Sequence, residues 1–241
     1  MIESTTKPEV MKTMAAIANR IQSTLISNCL RVDQLDAHLA ECKKYGFHAA
    51  MIPPCWVKRA ASALQGTRIR TASFIDLHLG TMTTKGKAFE ARLLAEDGVQ
   101  EIDLMPNVGF LLSGMEREYF EDIRAVVDAV PGIPIKVMLE LPLLNSEQKK
   151  LAINLSVKAG VAYLKNASSG AVGIATPADM RYLRSLAPAN VRLKASGGIK
   201  TARQVQELLD SGADLVGTSA AAKIMAELSG GKIESGGTTD Y

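Results

Sequence analysis

Residues 87–105 read KAFEARLLAEDGVQEIDLM, and this stretch decides the fold. Its first part carries apolar side chains at helical spacing and closes on Gly98. Glycine suits a helix C-terminus because it adopts a left-handed backbone without a Cβ clash. The short apolar run that follows, residues 101–105, has the length and pattern of a buried strand. A helix running directly into a strand is the unit from which parallel sheets are built.

The same alternation extends in both directions. Strands are predicted near 21–26, 47–52, 68–75, 101–105, 133–139, 161–165, 191–195 and 214–217. Helical patterns lie between them, among them QLDAHLAECKKYG (34–46), YFEDIRAVVDAV (119–130), SEQKKLAINLSVKAG (146–160) and ARQVQELLDSG (202–212). Eight strand and helix units in 241 residues predict an α/β fold, a (β/α)8 TIM barrel, rather than an open sheet. An extra helix is expected within residues 1–20, and the glycine-rich, polar stretch 229–241 reads as a flexible tail. No linker or composition shift divides the interior, so 1–241 is read as a single domain.

A hydrophobic content of 47% with 22% charge supplies a large core. The formal charge of +3 is spread among acidic residues, which argues against nucleic acid and suits a small anionic substrate. Cys29, Cys42 and Cys55 form no CxxC pair, and His38, His48 and His78 lack ligand-like spacing, so neither a disulfide framework nor a metal site is indicated. No cofactor is called for. The N-terminal residues lack the pattern of a signal peptide and no apolar stretch is long enough to span a bilayer, which excludes a membrane role and fits a reducing cytoplasm.

The active site of such a barrel collects at the C-terminal ends of its strands. Asp103 closes the fourth predicted strand, Glu140 follows the fifth, Lys165 closes the sixth in VAYLKNASSG (161–170) and Lys194 closes the seventh in VRLKASGGIK (191–200). An ammonium held away from water must find a partner or shed its proton, and two held together each make the other easier to deprotonate. A neutral amine is the nucleophile that forms a Schiff base with a carbonyl. Either lysine alone could be a strand-end cation snorkelling to solvent, and Asp103 alone could be a structural ion pair. Together they suggest Lys165 as the amine and Asp103, steadied by Lys194, as a proton shuttle working through a water. Gly197 and Gly198, and Gly217 with Thr218 and Ser219, read as two loops that each open a helix and present amides to a phosphate.

In combination, YGFHAAMIPP (45–54), TTKGKAFEARLLAEDGVQEID (83–103), NVGFLLSG (107–114), IKVMLE (135–140), AGVAYLKNASSG (159–170), RLKASGGIKT (192–201) and SGADLVGTS (211–219) are specific. From about Ile21 to the tail, the chain resembles the deoxyribose-phosphate aldolase family. The resemblance implies a (β/α)8 barrel that reversibly cleaves 2-deoxy-D-ribose 5-phosphate to acetaldehyde and D-glyceraldehyde 3-phosphate. It further implies Lys165 as the Schiff-base residue, Asp103 and Lys194 as acid/base partners, and Tyr241 as a residue that dips into the site to assist proton transfer. By the same transfer Gly170, Gly197, Gly198, Gly217 and Ser219 hold the phosphate, and the expected assembly is a homodimer or homotetramer.

Three departures fall on substrate-facing positions. The family's Ile-Asp-His-Thr-Leu pattern appears as Ile21, Gln22, Ser23, Thr24 and Leu25, so Gln22 stands where an Asp helps hold a substrate hydroxyl, while Thr24 is kept. Lys-Thr-Ser-Thr-Gly becomes Lys165, Asn166, Ala167, Ser168, Ser169 and Gly170, one residue longer, and Phe-Pro-x-Gly becomes Leu77, His78, Leu79 and Gly80. These changes leave open a related aldolase acting on another short sugar phosphate or aldehyde. A barrel that binds a phosphometabolite without catalysis is the remaining alternative.

Overall fold

The computed structural model describes residues 7–230, in which eight parallel strands close into one barrel in sequence order. They are β1 (Ile21–Thr24), β2 (Ala49–Met51), β3 (Arg70–Ile75), β4 (Glu101–Leu104), β5 (Ile135–Met138), β6 (Tyr163–Lys165), β7 (Arg192–Ser196) and β8 (Leu215–Thr218), with β8 pairing back onto β1. Each overlaps its predicted span, with ends that agree to within two residues. The helices are α1 (Lys7–Ala18), α2 (Val32–Tyr45), α3 (Val57–Leu64), α4 (Thr84–Glu96), α5 (Val108–Leu112), α6 (Glu116–Ala129), α7 (Ser146–Lys158), α8 (Pro177–Leu186), α9 (Ala202–Asp210) and α10 (Ala221–Leu228). The extra N-terminal helix is α1, which packs against α10. Of the predicted tail only Ser229 and Gly230 are described, and Tyr241 lies outside the described residues.

Side chains along a strand alternate between faces, and that alternation divides this barrel into two interiors. Ile102 and Leu104 of β4, Ile135 and Val137 of β5, and Leu193 and Ala195 of β7 join the main apolar core under the helices. Their neighbours Glu101, Asp103, Lys136 and Lys194 face the barrel axis and are almost completely buried. On the opposite side of the axis Ala49, Met51 and Ala72, with Ile26 and Phe74, form a small separate apolar cluster. The barrel is thus greasy inside β2 and β3 and charged inside β4 to β7. Buried charges of this kind persist only when paired, so the interior must be read as a network.

Two strand ends differ from expectation by a residue or two. Lys194 sits in the middle of β7, which runs on to Ser196, and Asp103 is the penultimate residue of β4. Lys165 does close its strand.

Candidate active site

At the C-terminal end of the barrel Asp103 is the hub. Its Oδ2 accepts hydrogen bonds from Lys194 Nζ at 2.6 Å and from Lys165 Nζ at 3.1 Å, and its Oδ1 lies 3.4 Å from Lys136 Nζ. Strand register makes these meetings unavoidable: Lys165 pairs with Lys194 across β6 and β7, and Asp103 with Lys136 across β4 and β5. Lys136 Nζ continues to Glu101 Oε2 at 2.7 Å. Glu101 Oε1 in turn meets His48 Nε2 at 2.8 Å and Arg70 Nη1 at 2.6 Å, near the other end of the barrel. A string of alternating charge therefore runs down the axis from the site.

This arrangement sets the proton affinities. Burial pushes the Asp103 carboxyl up, but the charges of Lys194, Lys165 and Lys136 outweigh it and hold the group well below the usual carboxylate range. Lys194 moves down from 10.5 to about 7, because burial and the charges of Lys165 and Lys136 together outweigh the attraction of Asp103. A lysine near 7 exchanges its proton readily at neutral pH. The stability consequence has a definite sign. Between about 7 and the ordinary 10.5 the unfolded chain binds more protons at this position than the folded one. Wild type is therefore expected to gain stability over a Lys194→Met variant as pH rises through that window. Urea unfolding of both proteins at pH 6.5, 8 and 9.5 checks this, and a difference that stays flat or falls with pH would contradict it.

Gln22, buried on β1, directs its Oε1 to Lys194 Nζ, leaving its Nε2 without a hydrogen-bond partner. The substituted position therefore touches the lysine cluster itself. Lys165 Nζ also donates to the Ser168 carbonyl at 3.3 Å, and the Ser168 N–H donates to Glu140 Oε1 at 2.7 Å. Glu140 holds a left-handed backbone, φ 50° and ψ 49°, which costs a non-glycine residue about 1–3 kcal/mol. Burial raises its carboxyl pKa, only partly offset by the Ser168 hydrogen bonds and the Lys165 charge. On the other flank, Leu77 joins Asp103, Lys165 and Lys194 around a small pocket. The half-buried His78 is lowered in pKa by burial and by the charge of Lys165. The altered β3–α4 loop thus reaches the lysines.

Beside the cluster lies a cavity of about 550 Å³, within the range of small-ligand sites. Thr24, Gly170, Gly197, Gly198, Gly217 and Ser219 all line it, as do Ser168, Ser169 and Ser196. Lys200 is the one charged residue among the described residues that line it. Glycine is required at Gly197, where φ is 107° and a Cβ would sit 2.2 Å from the Gly173 carbonyl oxygen. At Gly217 a Cβ would lie 2.9 Å from Lys194 Cε, so this residue also clears room for the lysine stem. The two loops open helices unequally. That after β8 leads almost directly into α10, whereas Gly198 is separated from α9 by Ile199 to Thr201.

The pattern of apolar runs does not single out Lys136, Glu101, Ser196 or Lys200, and it marks Asn166, Ser168 and Ser169 only as part of a lengthened loop. The signal for Lys136 was present in the alternation of Ile135, Lys136 and Val137, which places one cation on the face opposite two branched apolar residues.

A closed barrel with a buried lysine–carboxylate cluster and an adjoining cavity at one mouth is the architecture of a barrel lyase of the aldolase class. The chain matches no family model. It is 37% identical over 210 residues to the deoxyribose-phosphate aldolase of Geobacillus sp. strain WCH70, covering 87% of this chain and 94% of that protein. The deoxyribose-phosphate aldolase of Coprothermobacter proteolyticus is 36% identical, covering 86% and 95% of the two chains. The tetrameric structure of deoxyribose phosphate aldolase from Aeropyrum pernix superposes with a TM-score of 0.82 at 26% identity, over 93% of this chain and 99% of that one. The chain belongs to the deoxyribose-phosphate aldolase family.

Proposed function

We propose that this protein is a class I aldolase that reversibly cleaves 2-deoxy-D-ribose 5-phosphate to acetaldehyde and D-glyceraldehyde 3-phosphate through a Schiff base on Lys165. The observation that carries the reading is Asp103 Oδ2 seated between Lys165 Nζ and Lys194 Nζ, at a small pocket that shares Thr24 and Ser196 with the larger cavity lined by Gly170, Gly197, Gly198 and Lys200. In this reading the neutral Lys165 amine attacks C1 of the open-chain sugar to give a carbinolamine, and loss of water leaves an iminium. A base removes the proton of the C3 hydroxyl. The C2–C3 bonding pair then moves toward the iminium nitrogen, releasing glyceraldehyde 3-phosphate and leaving an enamine. Protonation at C2 and hydrolysis free acetaldehyde and restore the amine.

The proton affinities favour a division of labour. Asp103, held strongly anionic, stabilises the cationic intermediates and orders the lysines, while Lys194, near 7, is the group able both to give and to take a proton. The C-terminal residue Tyr241 stays in the proposal as a further proton carrier. Gly170, Gly197, Gly198, Gly217 and Ser219 are assigned to the phosphate and Thr24 to the sugar, with residues 1–241 as one domain. A homodimer or homotetramer is proposed by likeness to the tetrameric relative. The exposed free thiols Cys29 and Cys55 suit a reducing cytoplasm.

The test is intact-protein mass spectrometry after incubation with 2-deoxyribose 5-phosphate and borohydride, followed by peptide mapping. A reduced adduct on Lys165 is expected, and an adduct confined to another lysine would overturn the assignment. A second reading, an aldolase for a different short sugar phosphate or aldehyde, is favoured by one feature. Gln22 presents an unpartnered buried amide donor where the family has an acidic acceptor. Turnover on a panel of aldehyde acceptors separates the two.

A further inference from the structure

Asn166 immediately follows the amine-bearing residue, is buried, and bonds to both the carbonyl and the N–H of Ser196, the last residue of β7. Its Nδ2 donates to the Ser196 carbonyl at 3.0 Å, and its Oδ1 accepts the Ser196 N–H at 2.8 Å. Its own carbonyl accepts the Leu141 N–H at 3.0 Å, so three adjacent strand ends meet at this residue. A carboxamide is suited to this because it offers a donor and an acceptor side by side without charge. Immediately beyond Ser196 come Gly197 and Gly198, whose backbone walls the anion cavity. Past that point the two loops touch backbone to backbone. The Ala175 N–H donates to the Gly197 carbonyl at 3.0 Å, and a Cβ on Gly170 would lie 3.2 Å from the Gly198 nitrogen.

We infer that Asn166 is a positioning residue that couples anion binding at the β7 loop to the placement of the Lys165 amine. The inference rests on the Schiff-base reading above. A phosphate that orders Ser196 to Gly198 then orders Asn166 and, one bond along the chain, Lys165. Binding energy from the non-reacting end of the substrate is thereby converted into orientation at the reacting end.

The experiment compares kcat/KM for 2-deoxyribose 5-phosphate with that for unphosphorylated 2-deoxyribose, the latter with and without added phosphite dianion. It uses wild type, Asn166→Ala and the isosteric Asn166→Asp, which keeps the volume and the acceptor but loses the donor. The loss on the phosphorylated sugar is expected to exceed the loss on 2-deoxyribose by about 10- to 100-fold, with phosphite activation falling in parallel. Equal losses on both sugars, or phosphite activation unchanged from wild type, would overturn the coupling. If the alanine variant does not fold, the aspartate variant decides by the same ratio. Borohydride trapping on Lys165 in wild type reports the parent mechanism separately, so failure of the coupling and failure of the Schiff-base reading cannot be confused.

Discussion

Lys165→Ala is expected to lower aldol cleavage by about 10⁴- to 10⁶-fold in kcat, the scale on which enzymes lose a covalent nucleophile. The loss should come without collapse of the fold. Asp103 would keep Lys194 at 2.6 Å and Lys136 at 3.4 Å, so no buried carboxylate is left unpaired. Removing one of three clustered cations also relieves repulsion, which offsets part of the cavity left by the lysine stem. Steady-state assays and a thermal melt on the same preparation separate the two effects. Retention of more than about a tenth of wild-type kcat in a folded Lys165→Ala protein would rule out a covalent role for this residue. Lys165→Arg sharpens the result, because it keeps a cation yet cannot form an imine at neutral pH.

Asp103→Asn should combine a catalytic and a structural loss. The asparagine keeps the volume but leaves Lys165 and Lys194 buried without the carboxylate that both now touch. Breaking a buried ion pair from one side costs about 3–5 kcal/mol. The cost must depend on pH in a known direction. Without the anion the Lys194 amine, already lowered by burial, binds its proton still less tightly in the folded state, so the variant should regain stability as pH rises toward the ordinary lysine value. Activity is expected to fall by about 10²- to 10⁴-fold, the range for a lost proton-transfer or orienting group. Guanidinium unfolding of wild type and variant at pH 6 and pH 9 is the check. A stability gap that is absent, or that widens at the higher pH, would show that Asp103 is not the partner on which the lysines depend.

Both expectations depend on residues far apart in sequence, and they mark where sequence reading stops. Lys165 was legible because its strand ends on it and a loop of small residues follows, a pattern with few structural uses. The glycines lining the cavity were legible as loops of small residues following strand ends, and at Gly197 the structure supplies a reason, since a Cβ there would sit 2.2 Å from the Gly173 carbonyl oxygen. Lys136 and Glu101 were not. A charge inside an apolar run makes one face of a strand differ from the other, but whether that face meets water or another charge depends on what closes over it. Gln22 shows the same limit, because its contact with Lys194 exists only once β8 has paired with β1 and brought the first strand round to the seventh.

The eight-unit alternation, the strand positions to within two residues at each end, and the presence of lysine, aspartate and glycine near the strand ends are all legible along the chain. These are local properties, set by the period of apolar side chains and the backbone freedom of glycine. Barrel closure alone brings three lysines to Asp103, lowers the proton affinity of Lys194 by burial and neighbouring charge, and lets Asn166 join the Lys165 strand to the Gly197 loop. The physical reason is that proton affinity and orientation depend on distance and desolvation, and those quantities come into existence when the barrel closes and expels water from its axis.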